Sequence, residues 1–187
     1  MDILWMILLT TAVLQTTGPS TLPSQDAAVW SAAVLYYSES NSDQGVAPGV
    51  IVVPETVPGQ RMTLVAPGRA TKIQSYLLRR LKEQNTATRP VAGLSLPQGV
   101  TTPSRAENLI RRKTPHRIEV NWPLFRRTYP NSFLMQLSVP AYGEGGNQAL
   151  VYVSVGRDAM AAKGWLYLLQ KQNGVWRVVV DEILWIA

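Results

Sequence analysis

A chain of 187 residues, 46% hydrophobic and 16% charged, is long enough for one ordinary domain and too polar for a polytopic membrane protein. The lack of cysteine excludes disulfides, Cys-ligated zinc, iron–sulfur clusters, thiol catalysis and a lipidated N-terminal cysteine. The net charge of +6 is unevenly spread: residues 1–56 hold five acids and no Lys or Arg, residues 57–130 hold fourteen Lys/Arg against three Glu, and residues 131–187 hold four of each.

Residues 3–14 form an apolar run broken only by Thr10 and Thr11, and residues 15–24 are polar and turn-prone. The run has the length of a signal-peptide core and is too short for an ordinary membrane span. Its flank holds Asp2 and no basic residue, and Thr16, Thr17 and Gly18 are the nearest fit to a cleavage site. Residues 1–18 are expected to be a signal peptide or N-terminal anchor, sending the protein to the periplasm or outside. Residues 24–187 are expected to form one α+β domain. Membrane contact is expected only through residues 3–14, if they are retained.

Residues 24–39 read as a helix. Ser24 is its cap and Asp26 suits the positive end of the dipole. Trp30, Ala33, Val34 and Tyr37 fall at i, i+3, i+4 and i+7 and make one apolar face. Val50, Ile51, Val52 and Val53 predict a short strand stopped by Pro54. Residues 62–65 add a possible strand inside a connection rich in Pro and Gly. Residues 70–84 read as a second helix with Ile73, Tyr76, Leu77 and Leu81 inward and Asn85 at its end. A third helix is expected after Pro103, with Ser104 and Glu107 as a capping box, Leu109 and Ile110 apolar, and Arg111, Arg112 and Lys113 at its basic end before Pro115. Residues 117–120 alternate as a half-buried strand does. Asn121 then caps a short helix that turns Trp122, Phe125 and Tyr129 inward, and Pro130 ends it.

The last third predicts four strands over 133–139, 149–155, 164–170 and 175–185. The expected fold class is α+β, a C-terminal four-stranded antiparallel meander packed by the N-terminal and central helices. Asn173 and Gly174 are a strong type I′ hairpin signal, because that turn needs positive φ at both central positions. The turn pairs Gln172 with Val175 and Lys171 with Trp176. An unbroken ladder then sets Leu169 against Val178, Leu168 against Val179, Tyr167 against Val180, Leu166 against Asp181 and Trp165 against Glu182. Both faces of this hairpin are apolar in the middle, so both are expected to be covered.

Tyr129, Pro130, Asn131 and Ser132, the stretch 148–153, Gly164 to Leu169 with Lys171, Gly174 to Trp176, and the closing Leu184, Trp185 and Ile186 resemble a family of uncharacterised bacterial proteins. Many of these carry export signals. Their shared tail runs QALVYV, then YLLxKxxGxW, then LWI, and Trp122 and Phe125 also fit it. The likeness covers roughly the last 65 residues. It implies a fold and no known activity. The family's loop between the second and third of these strands often holds glycines and a cysteine, whereas residues 156–163 here hold no cysteine.

Chemistry is sparse. One histidine, His116, and no cysteine give no transition-metal cage, and no nucleotide-cradling glycine motif or serine-elbow motif occurs, so no cofactor or metal is expected. Two groups of residues stand out. Arg111, Arg112, Lys113, Arg117, Arg126 and Arg127 are the candidate binding residues for an anionic or protein partner. Nucleic acid is not expected, because the nearby aromatics fall on the apolar stripe. Asp181 and Glu182 are adjacent in a strand and point to opposite faces, so if both faces are covered one of them lies under cover and needs a partner such as Arg177 or a basic residue of the middle region. The favoured reading is a bulge or sheet margin where both reach water, or a structural ion pair. The leading expectation is an exported non-enzymatic domain. The alternative is a small-molecule-binding or hydrolytic enzyme with a pocket between sheet and helices that uses Asp181 or Glu182.

Overall fold

Ser24 caps the first helix as its side chain suggests: its Oγ accepts from the Ala27 amide at 3.2 Å, and α1 runs over Gln25–Ser40. A computed structural model describes residues 24–41, 49–58, 73–103, 109–114, 117–158 and 160–187. The expected leader at 1–18, the possible strand at 62–65, the Ser104–Glu107 capping box and His116 lie outside these residues.

After α1 come β1 (Gly49–Val52), α2 (Ser75–Gln84), β2 (Val100–Thr101), β3 (Ile110–Thr114), β4 (Arg117–Val120) and α3 (Trp122–Thr128). The chain then runs through β5 (Ser132–Leu137), β6 (Ala141–Tyr142), β7 (Gln148–Asp158), β8 (Ala161–Gln172) and β9 (Val175–Ile186). The main sheet has the order β2-β1-β5-β7-β8-β9, with β6 also on β7. β1 is parallel to β2 and β5, and every other pair is antiparallel. The class is α+β, with a mostly antiparallel sheet that also takes in strands from the first two thirds of the chain.

Helices cover both faces of the sheet. Val151, Val153 and Val155 of β7 point to the α1 side, where Trp30, Ala33, Val34 and Tyr37 are buried on them as the spacing predicts. Leu150 and Tyr152 point the other way, against Leu77 and Leu81 of α2. Further along that second face, Phe125 of α3 packs on Ile51, Val53 and Leu134.

One irregular link joins the three layers. Between β5 and β6 the Ser138 carbonyl accepts from Trp30 Nε1 of α1 at 2.8 Å, and the Ser138 Oγ accepts from the Tyr152 amide at 2.9 Å. Asn85, the residue after α2, binds the next residue along both edges. Its Oδ1 accepts from the Val139 amide at 2.7 Å, and its Nδ2 donates to the Val139 and Leu81 carbonyls at 3.0 and 2.8 Å. Buried backbone groups that leave a sheet need partners, and here the Trp30 and Asn85 side chains and the Tyr152 carbonyl of β7 supply them.

Two expectations are corrected. Residues 110–114 are a strand, not the end of a third helix: β3 pairs antiparallel with β4, Ile110 opposite Val120 and Arg111 opposite Glu119. Ile110 and Thr114 are β-branched, and a neighbouring amphipathic strand supplies ladder bonds that outweigh a weak helical preference. The second correction is in register. From Gln172/Val175 to Leu169/Val178 the β8–β9 pairing runs as expected, with Asn173 and Gly174 both at positive φ. A bulge at Val179 then shifts it by one, placing Leu168 opposite Val180, Tyr167 opposite Asp181, Leu166 opposite Glu182 and Trp165 opposite Ile183. A second irregularity brings Trp185 opposite Gly164, where its indole lies over the space a Cβ would fill and donates to the Tyr152 hydroxyl at 3.1 Å. Both irregularities bend an edge strand that carries Val179 and Ile183 partly in solvent, which discourages pairing with another chain.

Candidate functional site

Four of the six candidate cations belong to the β3–β4 hairpin, Arg111, Arg112 and Lys113 on β3 and Arg117 on β4. The hairpin forms its own two-stranded sheet and feeds straight into α3. The Asn121 amide donates to the Leu109 carbonyl at 2.8 Å, which ties the start of the hairpin to the start of the helix. Asn121 also caps α3, its Oδ1 accepting from the Leu124 amide at 3.2 Å. Arg126 and Arg127 sit in the last turn of α3 and are exposed, while Phe125 between Leu124 and Arg126 is buried. Cations at that end suit the negative pole of the helix. All six residues fall within a stretch of seventeen, four on the hairpin and two on the helix it leads into, with Glu119 opposite Arg111 on the same hairpin.

The basic character extends along the same side of the sheet. α2 shows Arg79, Arg80 and Lys82 to solvent, with Glu83 paired to Arg79 at 3.8 Å and the Arg80 guanidinium donating to the Tyr142 carbonyl at 2.7 Å. On the opposite side α1 carries Asp26 and Glu39 and no cation. The two helical layers therefore differ in charge sign, a separation that orients approach of an anionic body.

Asp181 and Glu182 take positions different from those the unbroken ladder gives. Asp181 lies on the α1 side, is exposed, and accepts a hydrogen bond from the Tyr36 hydroxyl. Glu182 lies on the α2 side and is half-buried. β9 is the edge strand, and beyond the bulge at Val179 Asp181 lies at the rim of α1, where water reaches it, while Glu182 is only partly covered. Arg177 is across from Gln170 on the other face from Asp181.

Sequence reasoning passed over the phenols around this acid. Tyr36 stands edge-on to Tyr167 at 5.2 Å, Tyr37 edge-on to Trp165 at 5.9 Å, and Trp165 and Tyr167 lie 6.5 Å apart. Burial raises the Tyr37 hydroxyl from 10.0 to about 12. Burial raises Tyr167 too, helped by Tyr36, Tyr37 and Asp181. Tyr36 is raised by burial first and then by its bond to Asp181. Tyr142, which donates to Asp26 at 2.6 Å, is raised by burial and then by that carboxylate. All four are neutral donors at ordinary pH and supply no base. A phenol whose pKa is higher folded than unfolded adds stability below the unfolded value and loses it as pH rises through the folded one. Unfolding midpoints are therefore expected to be level up to pH 10.0 and to fall between there and about 12. A flat midpoint across that window would contradict the burial of Tyr37. The signal in the sequence was the pairing of Tyr36 and Tyr37 with Trp165 and Tyr167, aromatic pairs at each end of the chain.

Among the described residues, no group of three or more His, Cys, Asp or Glu is placed to hold a metal ion, and no helix is long and apolar enough to cross a membrane. A groove lies between α1 and the β8–β9 turn, and neither Asp181 nor Glu182 lines it. Compared with family models, curated proteins and solved structures, the chain finds no match.

Proposed function

We propose that this chain is an exported, non-enzymatic α+β domain of the bacterial family its C-terminal strands resemble, with their four-stranded meander as scaffold, and that it binds an anionic partner through the basic hairpin and α3. The observation that carries this reading is the grouping of Arg111, Arg112, Lys113, Arg117, Arg126 and Arg127 on one hairpin–helix unit outside the main sheet. Further support comes from the buried apolar contacts that join the helices to both faces of the sheet, and from the position of Asp181 and Glu182 outside the groove beside α1. Export rests on residues 3–14 and the turn-prone stretch after them, and intact-mass analysis of protein from the native host tests it.

Poly-L-glutamate is a suitable probe of the basic unit. Arg126→Glu with Arg127→Glu is expected to weaken its binding at least tenfold at moderate salt and to flatten the salt dependence. Lys163→Glu with Arg177→Glu makes the same change in net charge at exposed positions on β8 and β9 and is expected to change binding little. Equal losses in the two double variants would reduce the effect to net charge and remove the assigned surface.

A further inference from the structure

Helix α1 is apolar on more than one side. Its buried stripe is Trp30, Ala33, Val34 and Tyr37. Ala28, Ser31, Ala32 and Leu35 repeat the same i, i+3, i+4, i+7 spacing and line a groove of about 430 Å³. This volume lies within the roughly 300–1,000 Å³ of small-molecule sites. The stripe runs two turns, about 10 Å along the axis. Leu96 and Pro97 form one wall, and Val175 and Trp176 beside the β8–β9 turn form the other. Leu35 and Val175 are 43% and 57% exposed, so two of the large apolar side chains that water reaches on this domain face the same groove.

The groove is held in shape. The Ser31 Oγ donates to the Ala27 carbonyl at 2.7 Å and accepts from the Ser95 amide at 2.9 Å, pinning the Leu96 wall to the helix. Asn173 and Gly174, both at positive φ, fix the turn beneath the other wall. With its proton already placed, the Ser31 hydroxyl has no hydrogen left to donate to an occupant. No Asp, Glu, His, Lys or Arg lines the groove. Apart from Ser31 and Ser95 the side chains that line the groove are apolar, so an occupant that is apolar along its body suits it. At the Trp176 wall stands a cation: Lys171 is paired across the strands with Trp176, and its Nζ lies 5.8 Å from the centre of that ring.

We propose that this groove binds an amphipathic small molecule with an aliphatic body along α1 and a carboxylate directed to Lys171. Ala28 and Ala32 form the floor, Leu35, Leu96, Val175 and Trp176 grip the chain, and the ammonium selects the sign of the head group. This site is separate from the basic hairpin and does not depend on it.

Dodecanoate below its micelle concentration is the probe, titrated calorimetrically into the full chain, with dodecylammonium as the head-group control. The expected result is one site per chain and at least tenfold weaker binding of dodecylammonium. Lys171→Glu is expected to erase that preference. Ala32→Phe fills the floor and is expected to abolish binding, with a denaturation midpoint near that of the parent. If that variant fails to fold, Leu35→Ser, at a half-exposed position, is expected to weaken both ligands together. The proposal is overturned by absence of saturable binding, by equal affinity for the two head groups, or by unchanged binding in Leu35→Ser. A dimer in sedimentation that dodecanoate does not dissociate would also overturn it, since a second copy would then fill the groove.

Discussion

Replacing Phe125 with Ala is expected to lower folding stability by about 4 kcal/mol, the usual cost of removing a fully buried ring. Phe125 has no exposed surface and sits among Ile51, Val53, Leu109 and Leu134. The Trp122 and Tyr129 rings flank it at 5.8 and 5.7 Å. Seven residues are too few for a helix to persist without tertiary support. The ring is what attaches α3, with Arg126 and Arg127, to the sheet. Urea denaturation should therefore show the loss in stability, and poly-L-glutamate binding should weaken at concentrations where the domain is still folded. A change below about 1 kcal/mol would mean that the second face is not packed through this ring.

Asn85→Ala is expected to cost about 3 kcal/mol, because it strips partners from buried groups instead of merely removing a contact. The side chain is fully buried and makes three hydrogen bonds, two of them to the Val139 backbone. Alanine leaves the Val139 amide and carbonyl without these bonds in a place where water cannot substitute. Asn85→Asp is expected to be as harmful, because a carboxylate there would face the Leu81 and Val139 carbonyls with no hydrogen to donate. The denaturant midpoint should fall in both variants with an unchanged m-value. Wild-type behaviour in Asn85→Asp would contradict the assigned orientation of the amide.

Short-range signals in the sequence were reliable where the local backbone requirement was strict. Ser24 and Asn121 cap the helices that they precede, Pro54 ends β1, and Asn173 with Gly174 makes the hairpin turn. The α1 stripe was legible because the 3.6-residue period leaves few alternatives. What escaped was decided by partners distant in sequence. Ile110 to Thr114 became a strand because Arg117 to Val120 lay within reach to pair with it. The bulge at Val179 has no marker such as Gly or Pro, so the faces of Asp181 and Glu182 were assigned from an unbroken ladder and came out exchanged. The parallel join of β1 to β5 was also invisible, since a four-residue apolar strand does not name its neighbour. For the candidate surface, the cations were legible as a cluster in sequence, and their gathering on one hairpin–helix unit required the fold. The groove had a sequence signal that went unread: a helix with Ala28, Ala32 and Leu35 outside its buried stripe has more apolar surface than one sheet contact uses.

The packing of α1 also has a consequence for the order of events during synthesis. Its partners Val151, Val153, Tyr167, Leu169 and Trp176 come from β7, β8 and β9, more than a hundred residues later in the chain. Helix α1, made early, is thus among the last described elements to find its place, and most of the chain must be made before this core can close. Long-range contacts of this kind slow folding. The α1 apolar stripe therefore lacks its native partners until β7, β8 and β9 have been made.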